Sequence, residues 1–438
     1  MGTFILIFVI ILEIAFTIYR MKTGTNQVKT LSWLRVGGFA GFLVLTLTTV
    51  VEWSFRWYSL ALLLFILAVN GGIRLLTKKF GNNLYKPGKT LFRAIFIVML
   101  FAFAIVPALV FPQFRLPETT GDFKTSTAVY TYTDTSRIET YTTTGENRKV
   151  TVQFWYPSDA QGKYPLIIFS HGAFGIKTSN TSTYSELASN GYVVCSIDHP
   201  YHAAGTVDTD GNLTIGSTAF IQEVVDVNGD VYSGEEKLNL CDEWMELRTS
   251  DITFVIDTVI EKTKTSDEQV FTLIDSGKIG LMGHSLGGAA SVQLGRDRED
   301  IGAVIDIDGT MLGEKKGIVD GEVVLNDEPY PLPLLNFYSE YVVNELAADP
   351  DYIYPNQFIT SLSPVAFEVC IKGSNHMSYT DLPLFSPMLA EMLSGISGGN
   401  TPATVDNYYC IETMNRLVLE FFNCYLKEEG SFMVEQNY

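Results

Sequence analysis

A chain of 438 residues that is 47% hydrophobic and only 18% charged is too long for one ordinary domain and too apolar for a disordered one. Residues 1–115 carry 12 Lys and Arg against 2 acids and the remainder 18 against 47, so a basic first quarter precedes a strongly acidic block. A field of that sign repels phosphates, which excludes nucleic-acid binding.

The first quarter holds four apolar runs, residues 4–19, 36–51, 57–73 and 91–111. Each is close to the roughly 17–25 residues that cross a bilayer, so residues 1–114 are predicted to form four transmembrane helices. Arg20, Lys22, Lys29 and Arg35 follow the first run, and Arg74, Lys78, Lys79, Lys86, Lys89 and Arg93 surround the third connection. The second connection has only Glu52 and Arg56. The positive-inside rule then predicts an integral plasma-membrane protein whose acidic domain lies on the exterior face. A cleaved signal is disfavoured, because the first run has basic residues after it and none before it. Gly37, Gly38 and Gly41 offer a surface for close helix packing. Glu13 alone among these runs is acidic, which gives a transport pathway little to stand on.

Pro112 and Pro117 end the last run, and residues 115–147 read as a Thr-rich linker with a first strand near 127–132. From residue 148 to 438 the patterning is that of a folded domain. A strand is expected at 149–155, then short apolar runs at 166–169, 192–197, 278–282, 303–307, 332–337 and 366–371 alternate with helical stretches. This is the pattern of a mostly parallel, doubly wound α/β sheet preceded by antiparallel strands. Residues 203–234 and 313–330 lack periodicity and are predicted to be long loops over the strand ends.

Gly283-His284-Ser285-Leu286-Gly287 joins an apolar strand to a helix, the context in which a sharp turn exposes a serine nucleophile. Ser285 needs a base to take its proton. Of five histidines only His376 lies beyond Ser285, and the elbow geometry demands the order serine, acid, histidine. The acid comes from Val304-Ile305-Asp306-Ile307-Asp308-Gly309. Asp306 and Asp308 share a strand face, being two residues apart, and Asp308 is preferred because it ends the strand. An oxyanion hole needs two backbone donors, for which the N–H groups of Leu286 and of Ala173, after Gly172, are placed. His171 and His284 are expected to pack and hydrogen-bond beside the site. A metal is not expected: His199-Pro200-Tyr201-His202 has no usual ligand spacing, and the five cysteines form no CxxC. No cofactor is implied, since there is no glycine-rich phosphate loop.

These residues, together with the segments at 132–139 and 152–157, Phe169-Ser170-His171-Gly172 and Gly373-Ser374-Asn375-His376, resemble the platelet-activating-factor acetylhydrolase family of α/β-hydrolases over residues 130–425. The resemblance implies an α/β-hydrolase fold and a calcium-independent serine esterase acting on short or oxidised acyl groups of phospholipids or on small esters. It also implies Ser285, Asp308 and His376 as the triad. Leu286 stands where the family often has Phe, and the four helices have no counterpart in its secreted members. Two other readings share the scaffold: an acyltransferase or polyesterase-like enzyme, and a non-catalytic sensing or binding module.

Overall fold

A computed structural model describes residues 2–80, 85–229, 231–396 and 401–438. It divides into two compact units, Met1–Arg115 with Leu384–Leu389, and Leu116–Pro383 with Ala390–Tyr438.

In the first unit, helices α1 (Gly2–Thr23), α2 (Val28–Leu47), α3 (Tyr58–Leu76) and α4 (Pro87–Val110) are each long and apolar enough to cross a membrane. Phe4, Leu47, Leu76 and Phe103 are exposed, an outward apolar surface that suits lipid rather than water. Helix α2 departs from the predicted run 36–51 because hydropathy does not set helix ends. It starts in the polar stretch at Val28 and stops at Leu47, where Thr49 turns the chain at φ 58. Close approach falls to Gly71 of α3, where a Cβ would lie 2.8 Å from the Ser32 carbonyl oxygen. Gly37, Gly38 and Gly41 face open space instead.

The second unit is built on strands β1 (Thr125–Ile138), β2 (Asn147–Pro157), β3 (Tyr164–Ser170), β4 (Val193–Asp198), β5 (Ile274–His284), β6 (Ile301–Ile307), β7 (Leu334–Ser339) and β8 (Ala366–Ile371). Their order is β1-β2-β4-β3-β5-β6-β7-β8. The β1–β2 and β2–β4 pairs are antiparallel and the rest parallel. Alternation splits each strand between two cores. Val150, Val152, Phe154, Leu166 and Ile168 pack with Val255, Ile256 and Val259 of α6 (Gly234–Thr265). Trp155, Ile167 and Phe169 pack with the layer containing Met414, Leu417 and Phe421 of α8 (Asn407–Leu426). Helices α5 (Thr181–Ser189) and α7 (Leu286–Asp297) complete the covering.

Three expectations are corrected. Much of the Thr-rich stretch is strand, because Thr and Tyr suit the half-buried edge that β1 occupies beside β2. Residues 203–234 hold a hairpin, Gly205–Val207 with Leu213–Ile215, and a helix, Thr218–Asn228. Ser217 caps that helix, and Phe220, Val224 and Val227, at helical spacing, are its buried stripe. Residues 313–330 hold a second hairpin, Lys315–Val319 with Glu322–Leu325. Its turn, Asp320-Gly321, has φ 53 and φ 88, and Asp-Gly joining two Val-rich segments is a hairpin signal that outweighs the polar composition.

The last residues run alongside β8. Cys370 N–H donates to Gln436 O (2.9 Å), Lys372 N–H to Tyr438 O (2.9 Å), and Tyr438 N–H to Cys370 O (3.0 Å).

Candidate active site

Parallel strands β3, β5, β6 and β8 end on one side of the sheet, and the predicted site residues follow those ends, as the crevice rule for open α/β sheets anticipates. Ser285 lies between β5 and α7 with φ 55 and ψ −125, a region a serine rarely occupies. The turn exists because glycines make room around it. A Cβ at Gly283 would meet the Gly287 carbonyl at 2.2 Å, and one at Gly287 would lie 2.0 Å from Ser170 O. Both clashes are with backbone, which cannot swing away. Gly287→Ala is therefore expected to destabilise the fold by about 3 kcal/mol or more, read as a lost or sharply lowered cooperative melt; a wild-type melting temperature would refute the crowding argument.

Asp308 follows β6 at φ 53, and its N–H donates to Phe337 O (2.9 Å). Each of its carboxylate oxygens has a partner. Oδ1 accepts from Ser339 N–H (2.5 Å), and Oδ2 lies 2.7 Å from Nδ1 of His376. Burial pushes the Asp308 pKa up, but the His376 bond and charge and the Ser339 N–H outweigh it and hold it below the usual carboxylate range. Asp306 has other partners, Gly309 N–H (3.1 Å) and Asn356 Nδ2 (3.0 Å). Burial and the neighbouring Asp308 charge push its pKa well up from the ordinary carboxylate range. The structure thus joins His376 to Asp308 and not to Asp306.

His376 opens a one-turn helix, His376–Tyr379, capped by the Asn375 side chain, which accepts from Met377 N–H and Ser378 N–H. Its carbonyl accepts from His284 Nε2 (2.9 Å), and the two imidazoles lie 4.5 Å apart. Burial, then the His376 charge, push the His284 pKa down to about 3, leaving it neutral with Nε2–H as donor.

On the other side of Ser285, a Cβ at Gly172 would lie 3.0 Å from Ser285 Cβ, so the turn after β3 abuts the serine. Phe174 N–H donates to His202 O and Gly175 N–H to Gly172 O, while the Ala173 N–H has no acceptor among the described residues. Leu286 is the first residue of α7, where helix N–H groups are unpaired within the helix.

Behind this turn lies a buried polar network that the sequence did not suggest. Arg148 donates to both oxygens of Asp251 (2.7 Å each), Asp251 accepts from His199 Nδ1 (3.0 Å), and His199 Nε2 meets Ser170 Oγ (2.9 Å). Burial and Arg248 push the His199 pKa down to about 4, which leaves the ring neutral, and the Asp251 carboxylate at Nδ1 puts its proton there. Arg248, on α6, donates to His171 O, to Gly172 O (3.4 Å) and to His202 Nδ1 (3.3 Å). Burial, chiefly, pushes its pKa down to about 9, so it stays cationic at neutral pH. The available signal was a charged residue on an apolar helical stripe, Trp244, Arg248, Ile252, Val255 and Val259.

A family model described as platelet-activating factor acetylhydrolase, isoform II, matches residues 126–436. The chain is 22% identical to a platelet-activating factor acetylhydrolase of Canis lupus familiaris, over 60% of this chain and 57% of that protein. It is 24% identical to one of Bos taurus, over 62% and 59%. The match thus spans less than two thirds of these relatives' length. In structure, the chain is similar to a ferulic acid esterase from Streptomyces cinnamoneus, with TM-score 0.56 and 19% identity over 72% of this chain and 94% of that one.

Proposed function

The chain belongs to the platelet-activating factor acetylhydrolase isoform II family, and we propose that it is a membrane-anchored serine esterase that cleaves short-acyl or phospholipid-type esters through an acyl-enzyme. The main support is the 2.7 Å bond from Asp308 to Nδ1 of His376, at the strand ends that also carry Ser285. With a proton on Nδ1, the Nε2 lone pair is free to act as base.

The reaction then runs in two halves. Ser285 Oγ attacks the ester carbonyl carbon while His376 Nε2 takes its proton, and Asp308 stabilises the imidazolium. The oxygen that gains the negative charge is held by the N–H groups of Ala173 and Leu286. Collapse releases the alcohol, protonated by His376, and leaves the acyl group on Ser285. Water, activated by the same imidazole, repeats the sequence and frees the acid.

The helices supply proximity. An acidic domain is repelled by an anionic lipid surface, and anchoring in the bilayer raises the effective concentration of a lipid ester. We also propose an exterior catalytic unit at the plasma membrane, supported by the positive charge of the alternate connections between the helices.

The test is hydrolysis of p-nitrophenyl esters from acetyl to palmitoyl by the detergent-solubilised protein, repeated on intact cells with an ester that does not cross membranes. Turnover is expected to fall as the acyl chain lengthens, and the intact cells are expected to be active. A folded protein that hydrolyses none of these esters and takes no label from a fluorophosphonate is instead a binding module.

A further inference from the structure

Burying an arginine without a carboxylate is costly, since the guanidinium loses its hydration. Asp251, one turn along α6 from Arg248, is already paired with Arg137, Arg148 and His199. The donors of Arg248 go to neutral acceptors, two of them consecutive carbonyls, those of His171 and Gly172. The Gly172 carbonyl belongs to the same peptide unit as the Ala173 N–H. It also accepts from Gly175 N–H (3.1 Å) and from His171 Nδ1 (2.6 Å), whose tautomer is set because Nε2 of that ring accepts from His199 N–H (3.2 Å).

We propose that Arg248 is a positioning residue that fixes the Gly172–Ala173 peptide and polarises it from behind, making the Ala173 N–H a stronger donor to the oxyanion. A cation bonded to a carbonyl draws electron density along the amide and makes the N–H on its far side more acidic, the cooperative effect expected of chained hydrogen bonds. The arrangement resists reorganisation, since Arg248 is fully buried and its Nε is held by His202 Nδ1. His202 in turn stacks on Phe220 with ring centroids 3.7 Å apart and bonds to Tyr141 Oη (2.8 Å). The benefit of a polarised donor falls on the tetrahedral state, where the charge develops, and hardly at all on bound substrate.

This rests on the serine-esterase reading, and the experiment separates the two. Arg248→Gln and Arg248→Lys are compared with the unmodified full-length protein for kcat and KM. They are also compared for affinity toward a trifluoromethyl ketone, which adds Ser285 Oγ to form a tetrahedral adduct, and toward the matching methyl ketone, which does not. Arg248→Gln is expected to lower kcat and trifluoromethyl ketone affinity together by about 10- to 100-fold, with KM and methyl ketone affinity within about twofold. Arg248→Lys, which keeps the charge, is expected to lose less. If the Gln variant does not melt cooperatively, the Lys variant carries the test, with the same selective loss at smaller size. The proposal is overturned if a folded variant keeps unmodified kcat and trifluoromethyl ketone affinity, or if both ketones weaken equally, as a merely structural role would have it. Should Ser285→Ala remain active, the esterase reading fails as well; should Ser285→Ala be inert while Arg248 variants are unaffected, only this proposal fails.

Discussion

Ser285→Ala is expected to lower ester turnover by about 10⁵- to 10⁶-fold and to abolish labelling by a fluorophosphonate. Alanine keeps the Cβ and the backbone amides, so the turn at φ 55 and the donors of Ala173 and Leu286 persist, and only the attacking oxygen is lost. What remains is water attack on an ester bound next to the oxyanion donors. The melting temperature is expected to stay close to that of the unmodified protein, which separates loss of chemistry from loss of fold. Retention of a tenth of the activity would remove Ser285 from the mechanism.

The second large effect distinguishes two acids that the sequence leaves side by side. Asp308→Asn is expected to reduce kcat by about 10⁴-fold with little change in KM, whereas Asp306→Asn is expected to stay within about tenfold of the unmodified enzyme. The argument is one of donors and acceptors. Ser339 N–H already needs an acceptor at position 308, so the asparagine oxygen turns to it and the NH₂ group faces His376. Nδ1 must then accept, the proton moves to Nε2, and the imidazole has no lone pair for Ser285. Asp306 uses both of its oxygens on Gly309 N–H and Asn356 Nδ2 and makes no bond to the imidazole, whose Nδ1 goes to Asp308. Steady-state kinetics of the two variants decide the matter. An Asp306→Asn loss equal to that of Asp308→Asn would reverse the assignment.

Legibility in the sequence followed the range of the interactions involved. The serine turn was readable because its constraints are local: an apolar strand, glycines two residues either side, and a helix. His376 followed from counting, with one histidine beyond Ser285. The choice between Asp306 and Asp308 was not settled by pattern alone, because both point to one face and the difference is a single left-handed turn at Asp308. Arg248 was out of reach for a different reason. A charged residue on an apolar stripe shows that something polar waits inside, but its acceptors, His171 and Gly172, lie more than 70 residues away. The two hairpins were misread because composition was weighed above turn chemistry, though Asp320-Gly321 was available.

The short run of residues along β8 has a consequence for self-association. A parallel sheet with a bare edge is a template for a second copy to extend, and edge-to-edge growth is how such domains aggregate. Here Gln436 and Tyr438 already occupy the hydrogen-bonding groups of Cys370 and Lys372. The opposite edge strand, β1, pairs regularly with β2 from Thr125 to Asp134 and shifts register only between Asp134 and Ile138, a kink that ends regular strand pairing there. The far end of β8 is thus closed to a docking strand by the chain's own residues, and the kink limits the regular edge of β1 to Thr125–Asp134.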